Sequence, residues 1–594
     1  MRASKFDRSF PDRKVPDLEA LGTMFPPPLS RALGLTELER VYRNLHSTSS
    51  EQPFFERALE TLDVKIESSS AEIASIPEKG PVVVVANHPF GALDGLIAGA
   101  LAVRRHSNVR VLANQWLTAI PNLRPWLLPV DVFGDANRAQ SNAPVLKSAL
   151  THLRNDGLLI LFPAGIVSHF QPVYSGIFDP PWNRLAAVLS RKANATVVPM
   201  FFEGHNSALF QVAGLLHPTF RTLLLPREVL RRRATCIQVR VGQPLKHRAI
   251  AAIADDVALT AWFRLRTYDL AAPQRRQNAQ RRQRQNAIPG AVGSDEIERE
   301  INGLGTEERL VQSGRFRAYI ARAGQIPRTL YEIGRLRETT FRAAGEGTGE
   351  AVDLDRFDRT YRHLFVYDDA EKCLVGAYRI GFCDELLRRE GVTGLYTSTL
   401  FKYESAFIRS LSNTLELGRS FVRADYQRSP LSLALLWRGI GEVLARNPDH
   451  VRLMGPVSIS GAYNQSARRL MISYLESLEK DIGLKRSVRA RRPPRERLQS
   501  REVLPSIGNV RQLGRLVAEL EAEQRGIPVL LERYLELGGR VLGLNVDPKF
   551  GNCVDALIVV DVPSAPKSML RRFLGTDGHT KYLRARDTQL GLSA

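Results

Sequence analysis

The stretch Val82-Val83-Val84-Val85-Ala86-Asn87-His88-Pro89-Phe90-Gly91-Ala92-Leu93-Asp94-Gly95 decides the fold of the first half of the chain. Its valines are β-branched, consecutive and preceded by Pro81. A short run that is apolar on both faces reads as a strand buried in a parallel sheet. Ligands in such sheets bind outside the carboxyl ends of the strands, and His88 stands at that end. A histidine works as a base on one ring nitrogen when a carboxylate holds the other. The short step from His88 to Asp94 lets a strand-to-helix turn bring the two together. The same spacing also suits a capping histidine and an N-cap aspartate, so the pair alone does not define a site.

Two more runs have the same character. Leu158-Leu159-Ile160-Leu161-Phe162 leads into Pro163-Ala164-Gly165-Ile166-Val167-Ser168, and Thr196-Val197-Val198-Pro199-Met200-Phe201-Phe202 leads into Glu203-Gly204-His205-Asn206-Ser207. Helical stretches at 141–154 and 182–192 separate them. This alternation predicts an α/β domain with a mixed, largely parallel sheet, and it sets three glycine-containing polar turns along one sheet edge. A fourth turn, Phe133-Gly134-Asp135-Ala136-Asn137-Arg138, offers an arginine able to clamp a phosphate or carboxylate.

A chain of 594 residues, 44% hydrophobic and 24% charged, needs several domains, each with an ordinary core. The segment from Pro273 to Pro289, PQRRQNAQRRQRQNAIP, holds five arginines and no large apolar residue beyond one isoleucine, so it cannot build a core. The organisation read from these features is a helical segment at 1–60, an α/β domain at 61–265, an Arg-rich linker at 266–305, a second α/β domain at 306–565 and a tail at 566–594. In the second domain, Leu364 to Tyr367 and Val375 to Ile380 read as adjacent strands. Leu415 to Val422 and Asp555 to Asp561 read as further strands, and Leu431 to Ala445 as a helix. Tyr534 to Asp547 reads as a Gly-rich turn region. The turn Asp425-Tyr426-Gln427-Arg428 before that helix would present N–H groups to a phosphate, although Pro430 removes one donor.

Lys and Arg number 83 against 62 Asp and Glu, a formal excess of +21. Such a surface attracts nucleic acid, anionic lipid or an acidic carrier protein, and it is equally a solvated basic face. No nucleic-acid recognition motif appears, and the arginines are not interleaved with stacking aromatics. The four cysteines, Cys236, Cys373, Cys383 and Cys553, form no CxxC and no Cys/His cluster, which argues against zinc and for a reducing compartment. No signal peptide is visible. No run approaches about eighteen uninterrupted apolar residues, so membrane contact would be peripheral. Leu215 to Arg233 mixes leucines with five arginines, which suits a lipid interface as well as it suits an ordinary helix pair.

Read in order, NHPFG-x-LDG at 87–95, the arginine-bearing turn, FPAG-x-VS at 162–168 and VVP-x-FF-x-G-x-NS at 197–207 resemble the glycerolipid (lysophospholipid) acyltransferase family, in particular its ornithine-lipid and hemolysin-like branch, over roughly 60–250. The resemblance implies that His88, assisted by Asp94, deprotonates an acceptor hydroxyl that attacks an acyl thioester. It implies substrate contacts at Arg138, Phe162, Pro163, Gly165, Ser168, Pro199 and Asn206. Five residues separate His88 from Asp94 where the general family has four, and Ala164 stands where the general family has Glu.

In the second half, Leu336 to Arg342, Asp353 to Asp358, His363, Val375 to Arg379 and Glu416-Leu417-Gly418-Arg419-Ser420-Phe421-Val422 resemble the hemolysin-like, ornithine N-acyltransferase branch of the GNAT superfamily, over roughly 310–565. That implies a GNAT-like α/β domain in which Glu416 orients or deprotonates an acceptor amine while Arg379 and Arg419 contact substrate. Together the two resemblances imply a bifunctional synthase of ornithine lipid. Its acyl donor would be acyl carrier protein or acyl-CoA, with no resident cofactor and no metal. Its acceptors would be an amino acid and a lyso-lipid. It would sit peripherally on an anionic membrane surface, the inner face of a bacterial cytoplasmic membrane. The rival reading is a single-function lysophospholipid acyltransferase with a structural second half.

Overall fold

The computed structural model describes residues 26–47, 52–130, 138–171, 176–251, 253, 255–271, 285–478, 487–495, 504–505, 507–521 and 524–589. The chain divides into two compact units, Met1–Pro273 with Gln499–Ser506, and Gln274–Leu498 with Ile507–Ala594.

In the first unit the strands are β1 (Lys65–Glu67), β2 (Val82–Ala86), β3 (Val109–Asn114), β4 (Leu127–Val130), β5 (Leu158–Leu161), β6 (His169–Gln171), β7 (Gly176–Phe178), β8 (Thr196–Phe202) and β9 (Cys236–Val241). Seven of them form one sheet in the order β1-β9-β8-β2-β5-β3-β4. All neighbours in it run parallel except β8 and β9. The valine strand β2 lies at the centre and is completely buried, flanked by β5 and β8. This follows from its sequence, since only a strand covered on both faces can bury four successive valines. The helix Ala92–Val103 follows the His88 turn and is apolar along almost its whole length, with eight of its residues buried. The helix expected from residue 182 begins later, at Leu185–Lys192, where the Asn183 side chain accepts the Leu185 N–H (3.0 Å) after Pro180 and Pro181.

The second unit contains β10 (Arg309–Ser313), β11 (Phe316–Arg322), β12 (Arg362–Asp368), β13 (Cys373–Phe382), β14 (Phe401–Tyr403), β15 (Thr414–Val422), β16 (Arg452–Ile459), β17 (Val488–Ala490), β18 (Arg540–Asp547) and β19 (Cys553–Asp561). Eight of these form a sheet in the order β10-β11-β12-β13-β15-β16-β19-β18. Only β15 and β16 are parallel, and they pair only over Thr414–Glu416 and Arg452–Met454. Beyond that point β15 continues on β13 and β16 continues on β19, so a wedge opens in the middle of the sheet. The helices Pro327–Ala343 and Pro430–Arg446 bury apolar residues against this unit's core.

Three expectations are corrected. The stretch 266–305 is not linker throughout: Asp256–Asp269 is a helix that reaches into it, and Ser294–Asn302 is a helix whose Ile297 and Ile301, one turn apart, join the second unit's core. The stretch 566–594 is helical over Lys567–Gln589, broken by a kink at Gly575 (φ +73°), and its first part buries Leu570, Phe573 and Leu574, with the Phe573 ring centroid 5.0 Å from that of Trp437. In Tyr534 to Asp547 the turn is confined to Leu537, Gly538 and Gly539, and Arg540–Asp547 is strand. Among the described residues no helix is long and apolar enough to cross a membrane.

Candidate active sites

His88, Phe162 and Glu203 follow three adjacent parallel strands and therefore share one edge of the first sheet. Gly91 caps the helix Ala92–Val103 with φ +84°, a conformation open to glycine and strained for other residues. Asp94 sits in the first helical turn, where backbone N–H groups lack intrahelical partners and a negative charge is favoured. Its Oδ2 accepts from the N–H groups of Phe90 (2.9 Å) and Gly91 (3.0 Å). The same oxygen stands 3.0 Å from His88 Nδ1, off the line of the ring N–H, a looseness common in ligand-free sites. Burial pushes the Asp94 carboxyl above its ordinary range, opposed by the His88 ring and the two N–H donors. The Phe162 ring stacks on the imidazole, with centroids 4.4 Å apart. The His88 side chain stays 17% exposed, and its Nε2 has no partner among the described residues. A base with one nitrogen held by a buried carboxylate and the other open can take a proton from an acceptor hydroxyl.

Of the other expected residues, Pro163 is buried and its carbonyl accepts the Asn183 N–H (2.9 Å) and side-chain amide (2.7 Å). Gly165 closes a turn onto the Phe162 carbonyl (2.9 Å) and faces open space. Ser168 is buried, and its N–H donates to the His88 carbonyl (2.8 Å). Asn206 is buried, and neither atom of its side-chain amide has a partner among the described residues. Pro199 lies inside β8, level with Val85, and not at the edge where His88 stands. Arg138 opens the helix Arg138–Arg154, while its side chain and the turn 133–137 lie outside the described residues.

In the second unit a cavity of about 510 Å³ fills the wedge between β15 and β16, lined among others by Leu417, Gly418, Arg419, Met454 and Tyr534. Gln427 and Ser429, at the start of the helix Pro430–Arg446, also line it, and Pro430 takes the first position of that helix. Arg419 has φ +48°, and β15 bulges there, so that Gly418 and Phe421 pair with Arg379 and Ala377 across the ladder. The Arg419 side chain meets Asp353 (3.1 Å) and Asp355 (3.8 Å) and donates to the Tyr396 hydroxyl (3.1 Å). Arg379 is buried against Asp355 (2.6 Å) and Asp358 (3.3 Å). Burial alone would raise the Asp358 carboxyl, but Arg337 and Arg379 hold it well below the usual range.

Glu416 is fully buried one residue before the lining segment. Its oxygens accept from the Tyr361 hydroxyl and the Thr397 N–H (2.7 Å). Burial raises its carboxyl. The Tyr361 oxygen also accepts the Tyr396 N–H (2.8 Å), so Glu416 supports the Tyr396–Arg419 corner from beneath and does not itself face the cavity.

A family model described as "Acyltransferase" matches residues 29–273, and one described as "Acetyltransferase (GNAT) domain" matches residues 336–438. The chain is 29% identical to a glycine N(alpha)-acyltransferase of Phocaeicola vulgatus, over 41% of this chain and 79% of that protein. It is 31% identical to a lyso-glycine lipid O-acyltransferase of the same organism, over 32% of this chain and 68% of that protein. It is 30% identical to an L-ornithine N(alpha)-acyltransferase of Brucella abortus, over 30% and 67% respectively. The chain belongs to the acyltransferases. It joins an acyltransferase domain to a C-terminal GNAT domain, as the motif order in the sequence implies.

Two residues of the acyltransferase domain escaped sequence reasoning. Asn87 bridges β2 to β8 through both side-chain atoms, accepting from the Phe202 N–H (2.8 Å) and donating to its carbonyl (3.0 Å). Its place next to His88 was a usable signal. Asp179 is buried; its Oδ1 accepts from the His88 N–H (3.1 Å) and the Ser168 hydroxyl, and its Oδ2 accepts from the Trp182 indole (2.8 Å). Its N–H donates to the Tyr268 oxygen (2.9 Å) and its carbonyl accepts from Arg264 (2.8 Å). Its partners lie up to 91 positions away, and no local pattern announces it.

Proposed function

We propose that this acyltransferase makes an amino-acid-containing membrane lipid in two transfers. The GNAT domain N-acylates an amino acid, of the ornithine type, with a 3-hydroxyacyl group from acyl carrier protein. The acyltransferase domain then O-acylates the new lyso-lipid on that hydroxyl. The observation that carries the reading is the His88–Asp94 pair with its open Nε2, in the same chain as a GNAT domain whose central cavity opens between two splayed strands.

In the second transfer, His88 Nε2 takes the hydroxyl proton as the oxygen bonds to the thioester carbonyl carbon. The tetrahedral intermediate collapses with loss of the C–S bond, and the imidazolium returns the proton to the departing thiolate. Asp94 keeps Nδ1 protonated and stabilises the imidazolium, a contribution of about a hundred- to ten-thousand-fold for a positioned base. Linking both sites in one chain raises the local concentration of the lyso-lipid intermediate.

The helices Ala208–Leu216 and Pro218–Leu223, just after the β8 edge, support peripheral docking on an anionic bilayer. Leu215 and Leu216 are 69% and 77% exposed, and Leu209, Val212 and Phe220 are also exposed. Phe170, again exposed, is tied in by its N–H to Gln211 (3.1 Å). Arg227 and Arg231 to Arg233 follow in sequence. Apolar side chains beside arginines suit insertion at an anionic head-group layer.

The test is O-acylation by the purified chain, using a synthetic N-(3-hydroxyacyl) amino acid and acyl carrier protein as donor. His88→Ala should lose the activity with the protein still folded. Undiminished O-acylation by that variant would refute the mechanism.

A further inference from the structure

Two carboxylates on the wall of the GNAT cavity form no ion pair among the described residues, although Arg525 and Arg419 lie near enough to act on them through space. Glu346 follows the helix Pro327–Ala343, and Asp555 stands on β19 opposite Ser458, four residues beyond the last β16 residue paired with β15. Asp555 is 4% exposed. Its Oδ1 accepts from the Ser458 hydroxyl (2.8 Å) and the Cys553 thiol (3.6 Å). Its Oδ2 has no partner among the described residues, and neither has the Glu346 carboxylate.

Several other buried carboxylates of this domain are paired with arginine, and Glu416 is satisfied by the Tyr361 hydroxyl and the Thr397 N–H. Asp353 meets Arg419, Asp358 meets Arg337 (2.8 Å), and Glu338 meets Arg342 (2.7 Å). The arginines on the cavity wall are already engaged: Arg419 by Asp353 and Asp355, and Arg525 by Glu521 (3.5 Å) and the Tyr463 ring (3.9 Å). The cavity is therefore short of positive charge. Burial outweighs the arginines: with the Asp555 charge it pushes Glu346 up to about 7 against the pull of Arg525, and with Asp547 it pushes Asp555 up to about 6 against the Ser458 and Cys553 donors and the charge of Arg419. Carboxylates desolvated without a counter-ion are costly, and a ligand ammonium removes that cost.

We propose that Glu346 and Asp555 hold the side-chain ammonium of the amino-acid acceptor, so that the GNAT domain selects a diamino acid over glycine and over neutral amino acids. This rests on the N-acyltransferase reading of the domain and assigns its specificity determinants. The ammonium bridges the two carboxylates and leaves the α-amine for acyl transfer. A charge-assisted contact of this kind is worth about 1.5–3 kcal/mol, or roughly 10- to 100-fold in specificity.

The experiment measures kcat/KM of the full chain for L-ornithine, L-norvaline and glycine, with 3-hydroxyacyl carrier protein as donor. Norvaline has the ornithine carbon skeleton without the second ammonium. Wild type should favour ornithine over norvaline, and Glu346→Gln and Asp555→Asn should each lower that ratio roughly 10- to 100-fold, whereas Glu346→Asp, which keeps the charge, retains most of it. Because the readout is a ratio, partial loss of folding, which lowers both activities together, does not mimic the result. A wild type indifferent to the second ammonium, or variants that lower both activities equally, would overturn the assignment while leaving N-acylation standing. Absence of N-acylation of any amino acid by wild type would remove the underlying reading and this assignment with it.

Discussion

Asp94 and Asp179 are both buried carboxylates, and they act on His88 in different ways. Asp94 faces the ring, and Asp179 holds the backbone on which the ring is carried. Asp94→Asn keeps the shape but cannot serve as the anionic partner of an imidazolium, so O-acylation should fall by about a hundred- to ten-thousand-fold with little change in melting temperature. Asp179→Ala leaves the Trp182 indole, the Ser168 hydroxyl and the His88 N–H without their acceptor, each loss costing about 1–3 kcal/mol if uncompensated. That variant should lose both stability and O-acylation, whereas Asp179→Asn, which retains an acceptor oxygen, should recover part of both; thermal melts beside activity assays separate the two aspartates. At the GNAT cavity the sign is set by carboxyls raised above their usual values. The folded state binds these protons more tightly than the unfolded chain, so the stability they contribute is full below about pH 4 and is lost as pH rises through about 6 to 7. Melting of the GNAT domain should therefore come earlier at pH 8 than at pH 5.5, with a smaller difference in Glu346→Gln; an equal difference in the variant would contradict the raised Glu346.

The elements differ in how openly the sequence declared them. The strands β2, β5 and β8 were legible because each is a short run of branched or large apolar residues that ends in a polar, glycine-containing turn. The parallel pairing then brought His88 and Phe162 together without further information. By contrast, β16 was hidden, since Arg452–Ile459 contains Gly455 and Pro456, which argue against a central strand. Both residues have reasons that only the fold reveals. A Cβ at Gly455 would lie 2.2 Å from the Leu417 carbonyl, and Pro456 falls just beyond the last residue paired with β15. Glu416 was expected to act as a base on the resemblance of its motif alone; the fold buries it against the Tyr361 hydroxyl and the Thr397 N–H, whereas Arg419, at the bulge, lines the cavity. Arg419→Gly relieves the positive φ but leaves Asp353 buried without its cation, so N-acylation should fall by far more than any gain in backbone comfort offsets. At the helices Ala208–Leu216 and Pro218–Leu223, whose apolar side chains are exposed, Leu215→Glu with Leu216→Glu should cut co-flotation with anionic vesicles several-fold at unchanged melting temperature; unaltered flotation would remove these helices as the proposed docking element.

For the whole molecule, the order of the two domains was legible from two motif sets. Less legible were the helices at Ser294–Asn302 and Lys567–Gln589, because helices rich in charge and anchored by only a few buried residues resemble linker and tail in composition. The central claim is that one chain performs two successive acylations, and a lipid profile of cells expressing wild type, His88→Ala or Arg419→Ala tests it most directly. The account predicts that wild type makes a diacylated amino-acid lipid, that His88→Ala accumulates the mono-acylated form, and that Arg419→Ala makes neither. If no amino-acid-containing lipid responds to either substitution, and only glycerophospholipid synthesis responds to His88→Ala, the two-step account is contradicted and the GNAT domain is structural.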